Sequence, residues 1–343
     1  MKKIKLLLLI ILTFITFSYS QTLDSLSNKD FIIIKAVGDT MFGSYTPKRI
    51  LPPKDGNEFV ESVGNLLKDA DIVMCNLEGS FVKEDFKPVK KGSGKVFNFG
   101  MPYYLAQTLR NLGFNVVSFN NNHVLDYGYE GYEFTKTLLK SMNINYATRE
   151  DFAVIEVKGK KVAVVAFGFN GGKYRITDIE NAKKEVSQLK SKYDIVIVSF
   201  HGGAEGKSAL HVRNQTEYFL GENRGNVVEF ARGVVDAGAD LVIGHGPHVL
   251  RAVEIYKGKL IAYSLGNFLT YGNFNLKGYN GIGGILEVVL TKDGKFIKAN
   301  FIPTKQISFG IPVYDESKQA IQLLNQLGKE DFPNSYYHFK SED

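Results

Sequence analysis

Residues 239–248 read ADLVIGHGPH, an apolar run that ends in a glycine and then two histidines flanking Gly246-Pro247. ADLVIG (239–244) has the length and β-branched content of a strand buried on both faces, and the amphipathic run Val227–Ala237 before it has helical spacing. The same alternation recurs on either side. FIIIKAV (31–37), IVMCNL (72–77), FNVVSF (114–119), KVAVVAF (161–167) and DIVIVSF (194–200) read as strands. Helical patterns fall near 58–68, 105–112, 129–142 and 179–189. Strands buried on both faces and separated by helices predict an α/β sheet covered by helices. Further on, KLIAYSL (259–265) and GGILEVVL (283–290) follow without a long helix between them, which predicts an antiparallel hairpin or meander. A last amphipathic helix is expected near 316–327.

The chain has 343 residues, 44% apolar and 23% charged, and no internal repeat or low-complexity run, which favours one domain from about 31 to 305 with a C-terminal extension, 306–343, carrying one helix. The N-terminus is separate. Lys2, Lys3 and Lys5 precede an apolar run from Leu6 to Phe17, then Ser18-Tyr19-Ser20, with small residues at −3 and −1 of a cleavage after Ser20. This is a signal-peptide pattern over 1–20, with 21–30 as a linker, so the mature chain is expected to be exported to the periplasm or cell surface. Removing those three lysines takes the formal charge from +6 to 6 − 3 = +3, too little to argue for nucleic acid. The one cysteine, Cys75, sits in an apolar run and reads as an inert buried thiol.

Polar residues gather where the strands end, and that is where ligands bind in open α/β sheets. FIIIKAV runs into Gly38-Asp39, IVMCNL into Glu78-Gly79, and FNVVSF into Asn120-Asn121-Asn122-His123. DIVIVSF runs into His201-Gly202-Gly203, and ADLVIG into His245-Gly246-Pro247-His248. Singly, each reads as well as a cap, a turn or a satisfied histidine. Jointly they place four of the six histidines, 123, 201, 245 and 248, just after apolar strands. Asp39, Glu78, Asn122, His201, His245 and His248 form a mixed oxygen and nitrogen donor set without thiolate, which suits Zn²⁺, Mn²⁺ or Fe. Six donors exceed one tetrahedral site and match a pair of divalent transition metals bridged by a carboxylate, the arrangement of hydrolytic phosphoester chemistry.

In this order the stretches AVGDTMFG (36–43), CNLEGSF (75–81), FNNNHVLDYGYEG (119–131), SFHGGAEG (199–206), DAGADLVIGHGPHVLRAVEIY (236–256) and IAYSLGNF (261–268) resemble the bacterial capsule-synthesis CapA family, also called the poly-γ-glutamate synthesis family, which looks like a branch of the calcineurin-like metallophosphoesterases. The resemblance implies a four-layer α/β/β/α sandwich of mixed sheets with a dinuclear site where the loops of the two sheets converge. It implies that Asp39 is a metal ligand and that Glu78 takes the bridging position. It also implies that Asn122 binds metal, while His123, oriented by Asp126, stabilises the phosphoryl group or protonates the leaving oxygen. Asn120 and Asn121 are then left as turn formers. His201, His245 and His248 fill the remaining positions.

Two departures stand out. Asp39-Thr40-Met41 lacks the histidine of the usual Asp-x-His, which puts one metal position in doubt. His201-Gly202-Gly203-Ala204-Glu205 lacks the tryptophan of HWGxE, and GHGPH lacks one histidine of GHHPH. Weaker candidates are Arg251, as an anionic-substrate contact or an ion pair, and Glu205, as acid/base or a partner of His201. Asn267 reads as a site-lining residue or a turn, and Arg213 and Arg224 as contacts to an acidic polymer. Two functions follow. One is an exported metal-dependent hydrolase acting on a phosphoester or an anionic cell-surface polymer. The other is a non-catalytic accessory protein that binds such a polymer or its membrane synthesis complex.

Overall fold

The computed structural model describes residues 30–89 and 97–341, so the leader expected at 1–20 lies outside the described residues. In chain order the first strands are β1 (Phe31–Met41), β2 (Ile72–Leu77), β3 (Ser80–Val82), β4 (Gly100–Pro102), β5 (Val116–Phe119) and β6 (Asn145–Thr148). Next come β7 (Ala153–Val157), β8 (Lys160–Phe167), β9 (Ile195–His201), β10 (Tyr218–Phe219), β11 (Glu222–Asn223) and β12 (Leu241–His245). The last are β13 (Val253–Tyr256), β14 (Lys259–Ala262), β15 (Asn267–Thr270), β16 (Ile282–Thr291), β17 (Phe296–Ile307) and β18 (Ile311–Tyr314). The α-helices are α1 (Asn57–Val63), α2 (Ala106–Asn111), α3 (Gly128–Ser141), α4 (Ile179–Lys190), α5 (Val227–Asp236) and α6 (Gln319–Asp331).

Two mixed sheets form the centre. One runs β18-β17-β16-β1-β2-β5-β6, with β15 also pairing β1, and the other runs β13-β14-β12-β9-β8-β7. Within β2 the period-two rule sorts the side chains. Ile72 and Met74 join the cluster shared with the second sheet, whereas Val73, Cys75 and Leu77 pack with Phe59, Leu109 and Leu139 of the helices outside. Val162 to Phe167 in β8 are all fully buried, because the first sheet covers one face and α4 and α5 the other. The result is helix, sheet, sheet, helix, the four layers expected.

One local expectation is corrected. Residues 259–265 and 283–290 do not pair as a hairpin: β14 lies in the second sheet beside β12, and β16 lies in the first, antiparallel to β1. Between them the chain crosses over through β15, which pairs parallel to β1. β17 runs on to Ile307, and Leu323, Leu324 and Leu327 of α6 bury in the shared core.

The sheets are tied at their carboxyl ends. Asn120 Nδ2 donates to the carbonyls of Ala166 at 2.8 Å and Tyr174 at 3.1 Å, and Ser199 Oγ lies 2.9 Å from Ser118 Oγ across the seam. Asn120 is buried, so water cannot replace these bonds. Asn120→Ala is expected to destabilise the fold by about 2–3 kcal/mol in urea unfolding with an unchanged slope. A loss below about 0.5 kcal/mol, within the range of an ordinary surface change, would show that the seam holds without this bond.

Candidate metal centre

Strand register brings the polar groups together. Asp39 in β1 pairs across to Asn76 in β2 on one side and to Asn267 in β15 on the other. In the second sheet His201 and His245 are register partners on β9 and β12. A Cβ on Gly38 would stand 1.9 Å from the carbonyl of Gly266, so only glycine lets the crossover approach β1 this closely. His248 adopts a left-handed backbone, φ 57°, which a non-glycine residue holds only against strain. That turn aims its ring back at Asp39.

Asp39, Glu78 and His201 are buried and each presents a ligand atom within 4.8 Å of the others. His248 Nδ1 is 2.8 Å from Asp39 Oδ2 and 3.1 Å from Asn267 Oδ1, and since both partners accept, Nδ1 donates. His245 Nδ1 lies 3.9 Å from Asp39 Oδ1, and His201 Nδ1 lies 3.8 Å from Glu78 Oε2. Asn76, which sequence reasoning missed, sits among them. Its Nδ2 donates to Asp39 Oδ1 at 2.8 Å and to Glu78 Oε2 at 2.5 Å. Asn76 and Glu78 share a strand face at spacing i, i+2, and an asparagine inside a buried apolar strand was the available signal.

Burial and mutual charge set the protonation states. Burial works against the Asp39 carboxylate, but the hydrogen bond and charge of His248, with His201 and His245, outweigh it and hold it low. Burial and the Asp39 charge push Glu78 up to about 8. Burial drives His201 well down and His245 down to about 4, so both rings are neutral at pH 7. Burial opposes a charged His248, but the hydrogen bond and charge of Asp39 prevail and push it up to about 10.

The 119–128 turn supplies the other wall. His123 Nδ1 donates to Asp126 Oδ2 at 2.7 Å, and Nε2 faces Glu78 Oε1 at 3.9 Å. Asp126 Oδ2 also accepts from the Phe99 backbone at 2.8 Å, and the Phe99 ring lies on His123 with centroids 4.3 Å apart. Asn122 occupies the same turn. Its neighbours do more than form the turn: Asn121 Nδ2 donates to Asn76 Oδ1 at 3.0 Å and its Oδ1 accepts from His123 N at 3.0 Å.

Two other candidates stand at the rim. Asn267 orients His248, and Glu205 Oε2 is 3.9 Å from His248 Nε2 while Oε1 accepts from Arg224 at 2.9 Å. Arg251 takes up the second of its two readings, the ion pair. It is fully buried, and its guanidinium bonds both Glu217 oxygens and the carbonyls of Ala204 and Ala209. Arg213 is paired with Asp331 at 2.5 Å.

The donor set fits divalent metal. Glu78 Oε1, His201 Nε2 and both ring nitrogens of His245 are buried with no hydrogen-bond partner among the described residues. Orphaned polar atoms of this kind are costly unless something coordinates them. Carboxylates and neutral imidazoles on the carboxyl edges of two packed sheets define the class: a four-layer α/β/β/α sandwich with a candidate metal centre at its seam. Within that class, residues 33–271 match the family described as bacterial capsule synthesis protein PGA_cap, and the chain belongs to it. It is 28% identical to the PGA biosynthesis protein CapA of Bacillus subtilis over 70% of this chain and 63% of that protein. It is also 28% identical to the capsule biosynthesis protein CapA of Bacillus anthracis over 68% of this chain and 58% of that protein. The chain thus spans about three fifths of the length of these curated relatives. A solved 5′-nucleotidase precursor from Thermus thermophilus is similar with a TM-score of 0.45 at 12% identity, over 88% of this chain and 59% of that one.

Metal binding is expected to release about two protons at pH 7, because Glu78 and His248 hold protons there and ligands must shed them. Affinity therefore rises with pH through about 8 and falls on acidification. Titration calorimetry in buffers of different ionisation enthalpy measures the count, and release of none would remove both residues from the ligand set.

Proposed function

We propose that the chain is an exported, metal-dependent hydrolase of the phosphoester-cleaving type, serving the synthesis of capsule or polyglutamate at the cell surface. Its substrate is then a phosphoester or an anionic cell-surface polymer, and its partners belong to a membrane polymer-synthesis complex. The observation that carries this reading is the Asp126–His123 pair, which turns His123 Nε2 toward the buried donor cluster. Binding alone needs no imidazole held in one tautomer, whereas proton transfer does.

Asp39, Glu78, Asn122, His201, His245 and His248 would hold the metals. A bound divalent pair supplies positive charge for a developing oxyanion and a nucleophile at neutral pH. The protein's own contribution starts at His123. Asp126 fixes the proton on Nδ1 and stabilises the ring when Nε2 is also protonated. From there His123 hands a proton to the leaving oxygen of a substrate lying against Glu78. Phe99 covers one face of the ring and keeps water from competing.

One observation favours the accessory, non-catalytic reading. Met41 stands where the usual Asp-x-His motif has its histidine, and it is fully buried in the core against the outer helices. One metal position therefore lacks that ligand, and a binding protein would tolerate the loss more readily than a hydrolase.

The two readings separate on turnover. His123→Asn is expected to lower kcat on a generic phosphodiester by about 10²–10⁴-fold while metal content stays at the wild-type level. His245→Ala is expected to lose both metal and turnover. Wild-type turnover in His123→Asn, or no difference among the three proteins, would leave the accessory reading standing.

A further inference from the structure

Arg224 lies between the β10–β11 hairpin and α5, and only 2% of it is exposed. Its guanidinium is held by two rings and two carboxylates, and the Phe219 ring of the hairpin lies with its centroid 5.3 Å away. One face lies 4.1 Å from the centroid of Phe169, and that ring packs on His201 with centroids 6.0 Å apart. Nη1 donates to Glu205, whose other oxygen approaches His248. Nη2 lies 2.9 Å from Glu222 Oε2, and the Glu222 side chain is 51% exposed. Nε differs from both: it is buried and has no hydrogen-bond partner among the described residues.

A guanidinium presents Nε–H and one Nη–H along a single edge, spaced for two oxygens of one carboxylate or phosphate. Arg232 shows that use in this molecule, gripping Glu254 through Nε at 3.0 Å and Nη2 at 3.1 Å. On Arg224 the same edge is half used, since Glu222 meets Nη2 alone. Glu222 also reaches it from an exposed perch. The hairpin turns through Leu220 and Gly221, both with positive φ (48° and 81°), and Leu220 is 86% exposed. The Glu222 side chain is half in solvent and can leave Nη2 by rotation alone, and a buried unpaired N–H favours any ligand that satisfies it.

The geometry points to the Nε/Nη2 edge of Arg224 as the binding site for a second oxyanion of the substrate, a carboxylate or a phosphate that displaces Glu222 and pairs with both nitrogens. This rests on the reading of the adjacent cluster as a reaction centre and adds a property of the substrate: it is anionic at a group other than the one that reacts. Glu222 is then a built-in competitor, which keeps the buried guanidinium paired until substrate arrives.

The test titrates the full chain with inorganic phosphate and with an oligo-glutamate by calorimetry, both metal-loaded and in chelator. Glu222→Gln weakens the competitor at an exposed position, and Arg224→Lys keeps the charge but loses the two-pronged edge. Glu222→Gln is expected to bind a probe about 5- to 10-fold tighter, and Arg224→Lys about tenfold weaker, the size of one charge-assisted hydrogen bond. Both changes should persist in chelator, which removes any contribution from metal. Tightening toward oligo-glutamate alone assigns a carboxylate, and toward phosphate alone a phosphate. Unchanged affinity of Glu222→Gln for both probes overturns the proposal, whether or not Arg224→Lys folds. The two readings fail separately. Tightening without turnover in the loaded protein sinks the hydrolase and keeps the fork, whereas turnover without tightening does the reverse.

Discussion

Everything at the carboxyl edges of the sheets answers to one constraint: Asp39 and Glu78 are carboxylates with no exposure to water, close enough to share a single amide donor. Burying charge without compensation costs several kcal/mol per group, and two like charges side by side cost more. The surroundings respond in kind. Asn76 donates to both, His248 carries a proton beside Asp39, and Glu78 keeps its own proton at neutral pH. The glycine at position 38 and the left-handed backbone at 248 are the conformational means by which these groups reach one point. Such strain persists only where the rest of the structure over-determines it.

The alternation of strands and helices was legible because parallel strands buried on both faces read as unbroken apolar runs, and the strand-end residues were legible because they interrupt those runs. What escaped the sequence shares a different cause. Asn76 lies inside an apolar run and declares itself only through its register with Asp39. Arg251 follows the histidine motif closely, but its partner Glu217 comes from the segment between β9 and α5, and sequence spacing does not say which way a side chain points. Likewise β14 and β16 have similar composition. Which sheet each joins is decided by the pairing of β15 with β1, a long-range contact that local pattern does not encode.

The asparagine run 120–122 shows how misleading a local reading of polarity is. Two of its members looked like turn formers, and both are buried and bonded to other strands: Asn120 to the far sheet, Asn121 to the amide that bridges the two carboxylates. A turn rich in short amides is here a set of spacers. They hold the His123 wall at a fixed distance from the donor cluster, which makes the aim of one imidazole depend on contacts made by its neighbours.

The donors come from both halves of the molecule. Asp39 and Glu78 belong to the first sheet, whereas His201 and His245 belong to the second. Any ion held by all four would act as a cross-link between two layers that are otherwise joined by apolar packing and a few amide bonds. Its binding energy would then be spent partly on resisting separation of the sheets, since whatever binds only the folded state stabilises it. The donor cluster and the mechanical seam of the fold are the same place, so a change that loosens one is felt in the other.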